Sequence, residues 1–410
     1  MATQGITFGQ VVSRGCGIDV HKDTVVATIK GEGIVETTKT FQTFTSSLTD
    51  LHDWLKTEGV THVAMESTGV YWKPVYSVLE EGLEIILVNA RHIKNVPGHK
   101  TDKKDSAWIA KLLLSGLLKA SFIPPIEIRD LRELFRYRRK LKGQHGSEAN
   151  RIQKVLEEAN IKLGSVLSDV LGVSGSKIIN DLIEGKTDVE ELIKHCHGKI
   201  KASRADIKES LKGKITEHHR FMLGLIRESM ESIDKLIAKV DQQIDEKSEF
   251  CKQQIEDLST IPGVSKLTAQ GIICEIGIDM GVFPNEHHLA SWAGVSPGNN
   301  ESAGKKKSTR TVNGNQHLRV TLVEASWAAS RTKNTYLRSK YESLISHKGK
   351  KKALIAIGHK ILVAAYFILR DNKPYVELGH EYLLQKRQTN QVNNYLRKLK
   401  EIGFEVELKI

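Results

Sequence analysis

The chain has 410 residues, of which 40% are hydrophobic and 8 are proline, so length and composition favour two or three domains with real cores and exclude a largely disordered protein. A net charge of +12 favours a polyanionic partner, either nucleic acid or an anionic membrane surface. No apolar run approaches the roughly 20 residues that span a bilayer, and residues 1–12 lack the pattern of a signal peptide, so we expect no membrane association. The 4 cysteines form no CxxC pair, which is typical of proteins in a reducing cytoplasm.

The first part of the chain alternates predicted strands with predicted helices, which is typical of an α/β layer fold. Strands are predicted at residues 17–20, 24–29, 34–38, 62–66 and 84–88, and helices at 44–57, 73–81 and 105–120. Pro124 and Pro125 should end the last of these helices. We therefore place a first domain at residues 12–122.

Residues 126–257 are rich in charge, and their apolar residues recur with helical spacing. This pattern predicts long, coiled-coil-like helices that pack on each other or on a partner chain. Residues 163–201 are less regular and indicate an inserted helical subdomain. Arg138 and Arg139 are candidates for contact with a nucleic-acid backbone, although a charged helical pair is more commonly a solvated bundle.

Glycine returns in residues 258–375, for which we predict a third, mostly helical domain. Helices are expected at 266–276, 316–329 and 351–369, and the loop between residues 293 and 315 is rich in Gly, Ser, Asn and Lys. The segment Ile261-Pro262-Gly263-Val264-Ser265 resembles a helix-hairpin-helix turn, whose amides often bind phosphate, but it also fits a simple helix entrance. The tail, 376–410, shows no motif.

Four acidic residues of the first domain stand where a strand ends or a helix begins: Asp19, Glu66, Asp102 and Asp105. In α/β sheets, sites gather at strand ends, and clustered carboxylates repel each other unless a cation neutralises them. Oxygen ligands suit Mg²⁺ or Mn²⁺, and two such ions can stabilise the attacking and the leaving oxygen when a phosphodiester bond is broken by displacement. Each residue also has a structural interpretation, as a helix cap, a dipole partner or a turn residue. Spacing alone leaves both interpretations open.

The segment at residues 292–307 is a second candidate site. Glycines let its backbone approach a phosphate, and Lys305, Lys306, Lys307 and Arg310 add positive charge. A serine in this setting can attack a phosphodiester if a base or a metal activates it. The alternative is a basic loop that contacts phosphate without chemistry.

Three segments resemble the DEDD motifs of the insertion sequence 110 transposase family: Gly17-Ile18-Asp19-Val20-His21-Lys22, Met65-Glu66-Ser67-Thr68-Gly69 and Lys100-Thr101-Asp102-Lys103-Lys104-Asp105-Ser106. Ile261-Pro262-Gly263-Val264, the loop at 296–307 and Gly314-Asn315-Gln316-His317-Leu318-Arg319 resemble its C-terminal transposase domain. The resemblance covers roughly residues 15–120 and 255–375. It implies a RuvC-like ribonuclease-H fold at the N-terminus, with Mg²⁺ held by Asp19, Glu66, Asp102 and Asp105.

The resemblance also implies that Ser302 is the nucleophile. Family members often have Ser-Ser-Gly-Gly where this chain has Glu301-Ser302-Ala303-Gly304, so Ser296 is the alternative. His317 and Arg319 are expected to support the loop or to pack, with Arg319 a candidate nucleic-acid contact.

The resemblance implies that the protein is a transposase that cuts and rejoins donor and target DNA through a 5′-phosphoserine intermediate. It would work as a dimer or tetramer with a structured guide RNA (a bridge RNA), in the cytoplasm of a bacterium or archaeon, at the nucleoid. Two other functions stay open. One is a structure-selective nuclease of the junction-resolvase type that uses metal-activated water, and the other is a non-catalytic nucleic-acid-binding regulator.

Overall fold

The computed structural model describes residues 11–67, 69–89, 105–196, 200–298, 300–302, 305–308, 310–311 and 313–403, and for residues 300–302 and 305–308 it describes the backbone alone. The chain forms two compact units, residues 1–123 and 124–410.

The first unit is built on a five-stranded mixed sheet with the order β3-β2-β1-β4-β5. Its strands are β1 (Arg14–Val20), β2 (Thr24–Gly31), β3 (Thr37–Gln42), β4 (His62–Glu66) and β5 (Glu84–Val88). The first three strands are antiparallel neighbours, whereas β4 runs parallel to both β1 and β5. This α/β arrangement agrees with the prediction and is consistent with a ribonuclease-H-like fold.

Helices pack on both faces of this sheet. They are α1 (Thr45–Thr57), α2 (Trp72–Leu79) and α3 (Asp105–Leu114). The α1 and α2 side chains Leu48, Leu55 and Val75 share a core with alternate residues of β1, including Ile18. Because side chains alternate along a strand, the opposite face is left for α3, whose Ile109 and Leu113 pack on Ala64 of β4.

The third strand and the last helix of the first unit differ most from their predicted bounds. The third strand runs over Thr37–Gln42 instead of 34–38, because β2 continues to Gly31 and the following residues form the turn. The helix predicted over 105–120 ends at Leu114. Gly116 adopts a left-handed φ of 66° and donates its N–H to Leu113 O at 3.0 Å, so a glycine turn ends the helix before the two prolines are reached.

Two long helices dominate the start of the second unit: α4 (Ile126–Glu158) and, after the short helices α5 (Leu163–Val166), α6 (Val173–Ile183), α7 (Val189–Leu192) and α8 (Arg204–Ser210), α9 (Glu217–Lys247). The helices α4 and α9 pack on each other in antiparallel orientation, since Asp130 pairs with Lys247 at 3.0 Å and His145 with Asp234 at 3.5 Å. The short helices share a core with the adjoining ends of the long pair, so the insert continues to about Leu211, beyond the predicted limit of 201.

The rest of the second unit is mostly helical. It contains α10 (Lys252–Ser259), α11 (Lys266–Ile276), α12 (Glu286–Trp292), the hairpin β6 (Asn300–Ser302) and β7 (Lys305–Ser308), α13 (Gln316–Ala329), α14 (Tyr336–Lys348), α15 (Lys350–Asp371) and α16 (Tyr382–Glu401). The bounds of α11 and α13 agree with the sequence prediction. The tail, for which no motif was predicted, contains α16, which has no buried residue.

The helix α15 corrects one expectation, because it is long and apolar enough to cross a membrane. The sequence prediction placed a helix at 351–369 but did not identify it as a possible membrane span, because Gly358, His359 and Lys360 interrupt its apolar sequence. In the structure 56% of the apolar window is buried, and α15 packs against α13 and α14. It serves as a core helix of the second unit.

The turn that resembles a helix-hairpin-helix motif connects α10 to α11 and packs on α13. Gly263 has a φ of 87°, and a Cβ there would lie 2.3 Å from the backbone nitrogen of Ala329. Ser265 caps α11 by accepting the N–H of Thr268 at 3.3 Å. Packing therefore accounts for the glycine, and phosphate binding by this turn stays a prediction.

Candidate active site

The C-terminal ends of β1 and β4 carry one acidic residue each. These parallel strands pair Ile18 with Met65, so Asp19 and Glu66 are neighbours at the same edge of the sheet. Their alternation with the buried Ile18 and Met65 places both on the α3 face, the face to which Gly17 also belongs. Both side chains are half-buried and therefore accessible to solvent.

The helix α3 crosses β1 at Gly17, where a Cβ would lie 2.1 Å from the backbone oxygen of Ser106. The Ser106 hydroxyl also forms a buried hydrogen bond of 2.7 Å with the hydroxyl of Thr28 on β2. Asp105, the first residue of α3, therefore lies on the same face of the sheet, beside the end of β1 that carries Asp19. Only glycine permits this contact between the helix and the strand.

Three of the four predicted carboxylates are thus brought to one edge, while Asp102 lies outside the described residues. Asp19 Oδ2 pairs with Nε2 of the exposed His21 at 3.1 Å. Among the residues that the structure describes, no three His, Cys, Asp or Glu side chains are close enough to hold a metal ion. Asp19, Glu66 and Asp105 nevertheless supply only oxygen donors, which suit Mg²⁺ or Mn²⁺.

The second predicted site is a β-hairpin. The backbone register places Ser302 opposite Lys305, the last pair before the turn, and Glu301 opposite Lys306. Ser296, the alternative serine, is half-buried and lies at the base of this hairpin, next to the bridge between Pro297 and Thr311. The fold therefore separates the two serines: Ser302 lies beside the turn and Ser296 at the base.

The base of the hairpin is fixed to α12 by backbone contacts. Gly298 donates its N–H to Arg310 O at 3.0 Å, which closes the base of the hairpin. Asn315, which follows the hairpin, donates its N–H to O of Trp292, the last residue of α12, at 3.1 Å. A Cβ on Gly314 would lie 2.3 Å from the backbone nitrogen of Gly294, so this approach also requires glycine. The hairpin therefore starts and ends at a defined position on the helical domain.

Glu275 of α11 is a buried carboxylate beneath this base, with 2% of its surface exposed. Arg136 of α4 donates to both of its oxygens, at 2.9 and 2.8 Å, and Asn315 Nδ2 donates to Oε2 at 2.6 Å. Arg132 donates to the backbone oxygens of Cys274 and Glu275, at 2.9 and 2.8 Å. Because Asn315 also caps α13 by accepting the N–H of Leu318, this network joins α4, α11, α13 and the hairpin.

The predicted nucleic-acid contacts differ in their surroundings. Arg138 forms an ion pair with Asp241 of α9, whereas Arg139 donates to His317 O and to the hydroxyl of Thr321, both at 2.8 Å. Both arginines thus join helices of the second unit. Arg319 has no ion-pair partner among the described residues. The side chains of Lys305, Lys306 and Lys307 are not described. Nucleic-acid contact by all of these residues, and by Arg310, stays a prediction.

Glu275, its two α4 arginines and Asn315 were not predicted as site residues. A signal was available for two of them. Glu275 is the single charge in the apolar stretch from 271 to 278, and Asn315 precedes a predicted helix in the place of an N-cap. Burial of an acid in an apolar helix requires a partner, but periodicity does not say which part of the chain supplies it.

Two protein-family models match parts of the chain. The model of the DEDD transposase of insertion sequence 110, described as "Transposase", matches residues 16–161. A second model, "Transposase IS116/IS110/IS902 family", matches residues 255–342. The first match continues through α4, beyond the resemblance recognised from the motifs, and the second ends before α15.

Two curated relatives share 33% identity with the chain over 128 residues, which is 30% of this chain. They are the pilin gene-inverting proteins of Moraxella bovis and Moraxella lacunata. The chain covers 39% of the length of each relative. Taken with the two domain matches, which together cover more than half of its residues, these similarities show that the chain belongs to the insertion sequence 110 family of transposases.

Proposed function

We propose that this protein cuts and rejoins DNA to move an insertion sequence, with a RuvC-like carboxylate site and a serine nucleophile. The observation that carries the proposal is the placement of Asp19, Glu66 and Asp105 at one edge and on one face of the first sheet. The position of Ser302 beside the turn of a basic hairpin supports the second half of the proposal.

In the proposed reaction, the Ser302 hydroxyl loses its proton and its Oγ attacks a scissile phosphate. The new Oγ–P bond replaces the P–O3′ bond, and the departing 3′-oxygen takes up a proton. The 5′ end stays attached to the protein as a phosphoserine ester. A 3′-hydroxyl of another strand then attacks this ester and releases the serine, so that no external energy source is needed for religation.

Asp19, Glu66 and Asp105, with Asp102, would hold Mg²⁺ or Mn²⁺. The bound cation would supply charge stabilisation at the reacting phosphate. The carboxylates would position the cation, and Gly17 lets α3 pack closely enough on β1 to bring Asp105 to the cation site. Binding of Mn²⁺ tests this assignment without any cleavage: D19N, E66Q and D105N should each weaken it about tenfold or more, whereas D50N, at an exposed position of α1, should leave it unchanged.

The net charge of +12 supports nucleic acid as the partner. Donor and target DNA, a structured guide RNA and a dimeric or tetrameric assembly complete the proposal, on the strength of the family resemblance. We propose further that the carboxylates of one subunit act with the serine of another. A mixture of D19N and S302A proteins, each inactive alone, should then recover part of the activity.

The main test is denaturing electrophoresis of the protein with labelled DNA that carries the element ends, to detect a covalent adduct. Wild-type and S296A proteins should form it, and S302A should not. Persistence of the adduct in S302A would remove Ser302 from the mechanism. Cleavage that leaves free 5′-phosphates without adduct would support the metal-activated-water nuclease, and binding with no cleavage under any metal would support the non-catalytic regulator.

A further inference from the structure

A cavity of about 420 Å³ lies between α12, α14, α15 and residues 375–378 of the second unit. Its wall combines aromatic and polar groups with apolar ones. The side chains that line it include Glu286, His287, Tyr336, His359, Lys360 and Tyr375. Cavities of this size take a small ligand or a single nucleoside, and they are too small for a base pair with its stacked neighbours.

Four cations gather beside this cavity: Lys340, Lys360, Lys386 and Arg387. None of them forms an ion pair with a carboxylate among the residues that the structure describes, and Arg387 donates instead to the hydroxyl of Ser343 at 3.1 Å. Burial, and then the charges of Lys360, Arg387 and Lys386, lower the pKa of Lys340. An uncompensated cluster of this kind repels itself, so an anion that binds here relieves the repulsion.

Aromatic rings lie between these cations. The rings of Tyr336 and Tyr382 meet edge to face with their centroids 5.6 Å apart. The Lys360 ammonium lies 5.8 Å from the Tyr336 ring, and the Lys386 ammonium lies 5.7 Å from the Tyr382 ring. Alternation of cations with aromatic rings is typical of surfaces that bind single-stranded nucleic acid, where bases stack on rings and cations follow the backbone.

The polar groups of the cavity suit the edge of a base. His359 is held neutral because burial lowers its pKa, so its imidazole can both donate and accept a hydrogen bond. Glu286 offers acceptor oxygens for amino and imino groups, and it pairs with His287 at 3.6 Å. Glu377 accepts the backbone N–H of Tyr336 at 2.8 Å, so it helps to fix the aromatic wall.

From these contacts we infer that the cavity at Tyr336, His359 and Lys360 binds an unpaired nucleotide of single-stranded nucleic acid, with flanking phosphates on Lys340, Lys386 and Arg387. A duplex keeps its bases stacked and out of reach of such a cavity, so the site selects single strands. The inference rests on the proposed function only in taking nucleic acid as the partner. The inference assigns the binding of an unpaired segment to this cavity, whereas strand cleavage is assigned to Ser302.

The experiment measures binding by fluorescence anisotropy, with EDTA present so that no cleavage contributes. The probes are labelled 12-nucleotide single strands of RNA and of DNA, and the DNA duplex of the same sequence. The triple variant K340Q/K360Q/K386Q is compared with K194Q/K208Q/K212Q, which removes the same charge from lysines that pair with Glu191, Glu190 and Glu209.

The site variant should reduce the slope of log Kd against log salt by about 1.4 for single strands, because it removes the phosphate contacts of Lys340 and Lys386 and each lost contact contributes about 0.7. The control should leave the slope nearly unchanged. Y336L should weaken single-strand binding by roughly 5- to 150-fold, the range for one lost base–ring stack, and Y336F should not. Which of RNA and DNA binds more tightly identifies the natural source of the strand.

Equal losses in the two triple variants, or equal effects on duplex and single strand, would overturn the inference. If the variants do not fold, cross-linking of the wild-type protein to a 4-thiouridine strand decides. Peptides that contain Tyr336, His359 or Tyr375 should carry the cross-link, and cross-links found only elsewhere would refute the site. A loss of adduct in S302A with this binding intact would show that the two proposals stand separately.

Discussion

Arg136 and Glu275 form a two-point ion pair inside the second unit, with both guanidinium–carboxylate distances below 3.0 Å. Glu275 belongs to α11 and Arg136 to the long helix α4, 139 positions earlier in the chain. The same carboxylate binds Asn315, where the serine hairpin ends. One buried acid therefore fixes the long helix, the core of the transposase domain and the base of the hairpin to each other.

E275Q should lower the free energy of unfolding by roughly 1–3 kcal/mol. The amide keeps the shape of the side chain but removes the counter-charge of Arg136, which is partly exposed, and of Arg132, whose side chain is 16% exposed. E342Q, which breaks the more exposed pair with Arg338, should cost no more than about 1 kcal/mol. Urea titration of both variants measures the difference. Equal small effects would mean that the buried pair does not hold the unit together.

Asn315 has two functions that substitution can separate. N315A removes the cap of α13 and the contact with Glu275, and it should cost roughly 2–4 kcal/mol. N315S keeps a capping oxygen but is too short for the contact with Glu275. If that contact positions the hairpin, both variants should form less protein–DNA adduct than wild type, while S265A, which removes only the cap of α11, should form as much. Normal adduct yield in N315S would assign the contact to stability alone.

Gly17 should be hard to replace, because α3 packs directly on β1 there. G17A would place a methyl group 2.1 Å from Ser106 O, a backbone atom, so α3 must shift, at about 3 kcal/mol. G143A, in the exposed middle of α4 with nothing within 4 Å, should instead stabilise the protein by about 0.5–1 kcal/mol. Thermal unfolding reports the stability of both variants. Because the shift also moves Asp105, G17A should bind Mn²⁺ more weakly, and unchanged binding would argue against the placement of Asp105.

The four thiols should differ sharply in reactivity. Burial raises the pKa of Cys16 and Cys274 far above the usual range and that of Cys251 to about 11. Cys196 is half-buried and lies at the end of a short helical turn in the insert. Reaction of the native protein with a disulfide reagent should therefore modify one thiol quickly, and C196S should abolish this phase. Fast modification of a second thiol in C196S would contradict the packing around the other three.

Periodicity was enough to predict the elements whose apolar pattern is local. The five strands, the long helices α4 and α9, and the bounds of α11 and α13 follow from the spacing of apolar residues and from capping residues. The motifs around Asp19, Glu66 and Asp105 also predicted the family, which the two domain matches confirm. The end of α3 was misplaced because the glycine turn at Gly116 ends the helix before Pro124 and Pro125 are reached.

Which face each acid occupies was decided only by tertiary structure. The alternation along β1 and β4 is fixed once α1 and α2 cover one face, and the other face then receives Asp19, Glu66 and the start of α3. The partners of Glu275 could not be predicted from the sequence either, since Arg136 and Asn315 lie 139 and 40 positions away from it. Local patterns predict which side chains of a helix or strand are buried and on which face they lie, because they reflect the geometry of that single element. Long-range pairs depend on how elements meet, which no short stretch of sequence encodes.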